Sequence, residues 1–426
     1  MSERLDRRIE SDEAACVAFA RALIAHPTVN PPGDAYEPCA RLIGEHLAAR
    51  GFEVRYERAE GTPGDSDRYP RLNVVARREG GSPGPTVHFN GHIDVVEVGS
   101  GWTVDPFAGT VRDGRLYGRG ACDMKGGIAS AVTAALAFVA EHPDHPGAIE
   151  LSGTVDEESG GFGGVAHLAR IGVLARPRVD HVIIPEPLDV DRVCLGHRGV
   201  WWAEIEASGS IAHGSMPFLG DCAVRHMGAV LERMERELWP ALAARRTAMP
   251  VVPDGAAAAT LNVNSIHGGG GEGHDGLPSP NVPHSCRMTI DRRFLVEERI
   301  EDVRDEIAAL LDRVAAERPS ARFAIREIMT VLPTMTDPDA PVVRALDRSI
   351  ERILGRSPRH VASPGTYDQK HVTRLGRIDG CVAYGPGMLE LAHRPDEFVV
   401  IADMIAAAKV MARALDALLR GEHAGR

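Results

Sequence analysis

Helix-spaced segments alternate with short apolar runs through the first half of the chain, and this alternation restricts the fold more than any other feature. Glu13–His26 and Glu37–Arg50 carry apolar residues at helical spacing, and Gly51 stands where a helix stop belongs. The β-rich runs Phe52–Tyr56, Leu72–Ala76, Thr86–Phe89, Ala148–Val155 and His181–Ile184 follow, with Met124–Glu141 as a buried helix among them. Such a pattern predicts an α/β fold: a mostly parallel sheet flanked by helices. Near Leu195 the style changes. Val200–Ala207 alternates as a half-exposed strand should and Asp221–Leu238 is an amphipathic helix. Thr260–His267 and Cys286–Phe294 are strands, Val296–Glu317 a charged helix and Arg322–Ile328 a last strand. Helices at Pro341–Leu354 and within Phe398–Leu419 return to the first style. The expected organisation is a discontinuous large domain, residues 1–196 and 330–426, with a smaller α+β domain, residues 197–329, inserted in it.

Composition narrows the partners. Lys and Arg total 48 against 60 Asp and Glu, a net charge of −12, and a field of that sign repels nucleic acid and anionic membrane surfaces alike. The longest apolar run, Ile128–Ala140, is too short to span a bilayer, and the charged start MSERLDRRIESDE lacks the apolar stretch of a secretory signal. Seven cysteines without CxxC spacing read as reduced thiols, so a cytoplasmic chain handling small molecules is expected. The glycine patch Gly268–Gly273 has no Lys-Ser/Thr after it and reads as a loop rather than a phosphate cradle.

Five places join a strand end or turn to acidic or imidazole side chains. His92 stands two residues before Asp94, so its imidazole can meet a metal while the carboxylate takes the other ring N–H; an ordinary loop histidine reads the same way. Asp123, within Gly118–Gly127, is either a helix N-cap or a carboxylate whose two oxygens bridge two cations. Asp156-Glu157-Glu158 is a solvated acidic turn or a cluster facing a crevice, and Pro185-Glu186-Pro187 again follows an apolar strand. His393 opens the fifth, before the last helix. Open α/β sheets bind ligands at the carboxyl ends of their strands, where one crevice can gather these groups. Imidazoles with carboxylates and no thiolate suit zinc, less often cobalt or manganese.

The order of these motifs resembles the M20 family of metallopeptidases and amidohydrolases, from about Asn73 to Glu397, most specifically over WTVDPFAGTVRDGRLYGRGACDMKGG, Trp102–Gly127. The resemblance implies two zinc ions per subunit, with cobalt or manganese as substitutes. His92 and Glu186 would hold one ion, Glu158 and His393 the other, and Asp123 would bridge them. Asp94 would orient His92, and Glu157 would be the general base. It further implies that His213 donates to the oxyanion from a partner subunit in a homodimer. Asn281, Arg293, Gly365 and Thr366 would grip the substrate's carboxylate. On its own spacing His213 reads rather as a loop residue near a helix start, and Arg292 competes with Arg293 as the anchor.

The chain departs from the family pattern at Val95-Val96-Glu97, where a proline is common, and at Val296, another frequent proline. Lys370 stands where deacylases commonly carry Arg, with Tyr367 and Gln369 unusual beside it. None is a proposed metal ligand. Glu186, rather than Asp, points to a deacylase or carboxypeptidase. The implied function is amide hydrolysis of an N-acyl amino acid, of the acetylornithine deacetylase or succinyl-diaminopimelate desuccinylase type. A metallocarboxypeptidase or dipeptidase is the alternative. A catalytically dead binding relative is disfavoured because Glu157 and His213 are both present.

Overall fold

A computed structural model describes residues 2–269 and 280–421, in two compact units. The first comprises residues 2–196, 336–361 and 367–421, and the second residues 197–335 and 362–366. The second unit runs past residue 330 because the strand Arg322–Val331 pairs with Gly199–Ser208 as far as Val331, opposite Val200.

In the first unit the strands lie in the order Glu53–Arg58, Leu72–Glu79, Pro146–Thr154, Ser82–His92, His181–Ile184, Cys381–Ala383, Arg192–His197. Only the centre is parallel: Ser82–His92 runs with Pro146–Thr154 and His181–Ile184, and the latter with Cys381–Ala383. Both flanks are antiparallel. The sheet is therefore mixed around a parallel core.

Its longer helices are those whose apolar spacing stands out in the sequence, joined by Ser2–Ser11 and by two short ones, Val165–Arg170 and Gln369–Arg374. Ser2–Ser11, SERLDRRIES, is helical although charged almost throughout, because Leu5 and Ile9, one turn apart, are both buried. Gly126–Glu141 is buried nearly all round, as its Ala-rich composition permits, and packs against Ile401–Arg420, which also packs against Pro341–Leu354. Together with the turn before it, Ala121–Glu141 is long and apolar enough to cross a membrane, longer than the run read from the sequence. However, 89% of its apolar window is buried inside the protein, as befits a core helix.

The second unit is a four-stranded antiparallel sheet in the order Thr260–Gly268, Ser285–Phe294, Gly199–Ser208, Arg322–Val331. Ile300–Glu317 buries Ile300, Val303, Ile307, Leu310, Leu311 and Val314, a 3–4 spacing that makes one face of the helix part of the core. The helix expected over Asp221–Leu238 is Ala223–Arg233, continued by a wide turn and a short helix, Trp239–Ala244. Of the glycine patch, residues 270–273 lie outside the described residues.

Candidate active site

Three neighbouring parallel strands deliver three of the five acidic or imidazole clusters to one edge of the sheet. His92 is the last residue of Ser82–His92 and pairs in register with Thr154, three positions before Glu157; Phe89 pairs with Ile183, three positions before Glu186. Asp123 comes from a different direction, on the irregular turn Ala121–Lys125 that precedes the helix Gly126–Glu141. It is not the N-cap of that helix: its φ and ψ are −117° and 93°, and Lys125 occupies the cap position. The glycine pair at the helix start has a physical reason. A Cβ on Gly127 would lie 2.0 Å from the Pro185 carbonyl oxygen, so only glycine lets the helix approach the turn that carries Glu186. His393 reaches the cluster from a left-handed backbone, φ 65°, uncommon for a residue with a side chain.

The five side chains form two triads that share Asp123. Ligand atoms of His92, Asp123 and Glu186 lie within 4.8 Å of one another, as do those of Asp123, Glu158 and His393. The two oxygens of Asp123 face different triads: Oδ1 is 3.0 Å from His92 Nε2, and Oδ2 is 3.5 Å from His393 Nε2. His393 Nε2 lies 3.2 Å from Glu158 Oε1 and His92 Nε2 4.0 Å from Glu186 Oε1. Nitrogen and oxygen donors, no thiolate, and one carboxylate presenting an oxygen to each side fit a pair of divalent cations of the zinc class.

Electrostatics agree with that donor set. Burial pushes the Glu158 carboxyl up to about 7, with the Asp123 charge adding to it and the His393 hydrogen bond opposing it. Burial, then Asp123, pushes Glu186 well above the carboxylate range. Asp123 goes the other way, because hydrogen bonds from His393 and His92 outweigh its burial. Hydrogen bonds to Asp123 and then to Glu158 hold His393 up at about 10, against the burial that opposes them. Crowded carboxylates of this kind are relieved by a cation.

Around the triads the supporting contacts differ in part from the sequence reading. His92 Nδ1 donates to the backbone carbonyl of Asp94, 3.0 Å, while the Asp94 carboxylate stands 3.6 Å away. Asp94 thus fixes the ring through its main chain. Its carboxylate accepts the backbone N–H of Glu157 at 3.2 Å, that of Glu158 at 3.1 Å and the Asn30 amide at 3.0 Å, holding the acidic turn in place. Asp156 does not join the cluster. It has a left-handed backbone and is buried against Arg71 and Tyr36, each 3.1 Å away, which removes one of three adjacent like charges. Glu157 Oε1 accepts from the Lys370 ammonium at 3.2 Å, and both side chains are nearly buried.

Asn30 and Lys370 were missed as site residues. Asn30 is distant in sequence and has no motif of its own. Lys370 stood out only as a departure from the family pattern, although a lysine that must be buried calls for an acidic partner.

The remaining candidates belong to the second unit. His213 bridges to Asn281 by backbone pairing, and its Nδ1 lies 2.7 Å from Ser215 Oγ, on an exposed segment. Arg292 is fully buried and paired with Glu298 at 2.6 Å, so it holds the unit together and Arg293 remains the candidate anchor. Arg293 is clasped by Asp291 through two bonds, 2.7 and 3.0 Å. In the loop Ala362–Thr366, Gly365 donates its N–H to Ser363 Oγ at 3.2 Å. Arg198 donates to Pro364 O at 3.2 Å and to Ala258 O at 3.0 Å, with burial and the Arg293 charge pulling its guanidinium down to about 10.

The model of a family described as Peptidase family M20/M25/M40 matches residues 88–417. Succinyl-diaminopimelate desuccinylase of Methylobacillus flagellatus is 29% identical over 409 residues, 94% of this chain and 98% of that protein. Among solved structures, human carnosine dipeptidase 1 superposes with a TM-score of 0.75 at 19% identity, over 98% of this chain and 99% of that one. A Bacillus subtilis protein described as a dinuclear metal binding peptidase of the M20 family gives 0.69 at 17% identity, over 96% and 99%. With the family model matching most of its length, and its edge-of-sheet cluster lying inside the match, the chain belongs to peptidase family M20/M25/M40.

Proposed function

We propose that this protein is a cytoplasmic, two-zinc amide hydrolase that removes an acyl group, succinyl or acetyl, from the nitrogen of an amino acid bearing a free carboxylate. The observation that carries this reading is the pair of donor triads sharing Asp123. His92 and Glu186 would hold one ion, Glu158 and His393 the second, and Asp123 one oxygen to each. When bound, the ions supply Lewis acidity and a water of lowered pKa. Glu157 does the proton work: it is next to the cluster but outside both triads, and its Oε1 is tethered by Lys370. It takes a proton from the attacking water and returns it to the departing amine. The desuccinylase relative favours the deacylase reading, and seven free cysteines suit a reducing compartment.

The reading assigns residues 197–329 to lid and dimerisation. Asn281, Arg293, Gly365 and Thr366 would grip the substrate's carboxylate, a planar guanidinium fork suiting Arg293 to that task. His213 would serve the site of a second copy in a homodimer. Exposed apolar side chains flank it, Ile211 at 60%, Phe218 at 80% and Leu219 at 66%, which suits a surface covered by another chain. His213→Ala should lower kcat by about 10² or more if it donates to the oxyanion. Mixing that variant with Glu157→Ala should regenerate activity in hybrid dimers carrying one intact site. No recovery would place His213 within its own subunit or outside the chemistry.

Hydrolysis rates on N-succinyl, N-acetyl and N-formyl amino acids and on dipeptides test the substrate class. N-acyl amino acids should be turned over faster by kcat/KM than dipeptides. The reverse order would make the protein a dipeptidase or carboxypeptidase with the same machinery.

A further inference from the structure

We propose that Arg119 and Glu397 form a buried clamp that positions the metal-ligand loops, so that the affinity of the centre depends on two residues touching no ligand side chain. The inference rests on the two-metal reading above. Arg119 lies four residues before Asp123 and Glu397 four after His393, and their side chains meet at 2.5 Å with exposures of 2% and 1%. From this junction the contacts go to backbone on three sides. Glu397 Oε1 accepts the N–H of Cys122 at 2.9 Å and of Asp123 at 3.1 Å, fixing the turn that aims the shared carboxylate. Arg119 donates to the carbonyls of His393 and Arg394, each at 3.3 Å, fixing the turn that holds His393 in its left-handed conformation. It also donates to Glu97 O at 3.1 Å and Val98 O at 3.2 Å, on the segment that follows Asp94. The guanidinium lies over the Trp102 ring, 5.3 Å from its centroid, which limits where it can move.

The Asp123 turn and the His393 turn also meet through ligand side chains, His393 Nε2 lying 3.5 Å from Asp123 Oδ2, whereas the Arg119–Glu397 pair ties them through their main chains. Each turn has an irregular backbone, and the two supply Asp123 and His393, two of the three side chains of the second triad, with Glu158 the third. If the link is cut, the turns can drift apart while the sheet and helices keep their packing. Arg119 and Glu397 are therefore positioning residues: they act through the main chain of the ligands, in the way outer partners orient a metal site.

Glu397→Gln alone strands a buried guanidinium, so the decisive variant is Arg119→Met with Glu397→Gln, which removes both charges and leaves an amide oxygen for the Cys122 and Asp123 N–H groups. The test uses the full-length chain stripped of metal and titrated with zinc, and separately cobalt, against a competing chelator, alongside circular dichroism and thermal unfolding of the stripped form. The stripped double variant should unfold close to the stripped parent, while the affinity for the more weakly held ion falls by about 10–100-fold. A folded double variant that binds both ions as the parent does overturns the proposal. So does a variant whose stripped form is destabilised as much as its loaded form, since the pair would then be ordinary fold support. Should the double variant not fold, Arg119→Lys keeps the charge but loses the fork, and the same drop in affinity is expected of it; parental affinity there overturns the proposal equally. A parent chain that takes up no pair of ions refutes the two-metal reading itself, which is a different result.

Discussion

Dialysis against a chelator should abolish amide hydrolysis, and added zinc or cobalt should restore it. Five side chains from five separate stretches of sequence converge so that two sets of ligand atoms each fall within 4.8 Å. Three carboxylates and two imidazoles in that space leave the centre short of a cation rather than of a proton donor. Without the ions, Glu157 faces water of ordinary acidity, and the amide carbonyl loses the Lewis acid that polarises it. The loss should therefore be to background. Chelation should also lower the midpoint of thermal unfolding, because ions that bind only the folded chain stabilise it, by about 2.7 kcal/mol when free metal is a hundredfold above its Kd. Full activity in protein shown to be free of metal would remove the mechanism proposed above.

Much of this centre was legible in the sequence because strand ends are legible. A short apolar run followed at once by His92, by Glu157-Glu158 or by Glu186 announces both the strand and the side of the sheet on which its polar residues emerge. What the sequence did not disclose was contact across long separations. Asp94 lies two residues from His92, and proximity suggested a carboxylate–imidazole bond; instead the carboxylate reaches the acidic turn more than sixty residues away. Asp156 looked like a third member of the cluster, but Arg71 and Tyr36, from other elements, draw it off. Lys370 looked like a substitution and is a tether on Glu157 across 213 positions. The parallel reading of the sheet held at its centre and not at its flanks, since alternation of helix and strand reports crossovers and is silent about hairpin-like edges. The first helix escaped for a different reason: two buried residues in ten give too little periodicity to separate it from a charged tail.

Replacing Glu157 by alanine should cut kcat by about 10²–10⁴ while metal content stays near two per chain. The distinction from its neighbour is geometric. Glu158 stands 3.2 Å from His393 Nε2, inside a triad, so removing it should cost metal; Glu157 belongs to neither triad and meets Lys370 instead. Adjacent residues on a turn send their side chains apart, and Asp94 enforces this by gripping both of their backbone N–H groups. Glu157→Gln is the sharper variant. It keeps the shape and an oxygen for the Lys370 ammonium but cannot take a proton, so its kcat should fall as far as that of the alanine variant with KM little changed. Alanine removes the partner of a buried ammonium as well, and any additional loss of thermal stability in Glu157→Ala over Glu157→Gln measures the tether separately from the chemistry. If Glu157→Gln retains most of the parental kcat with both ions in place, the proton is carried by another group and Glu157 is only an anchor for Lys370.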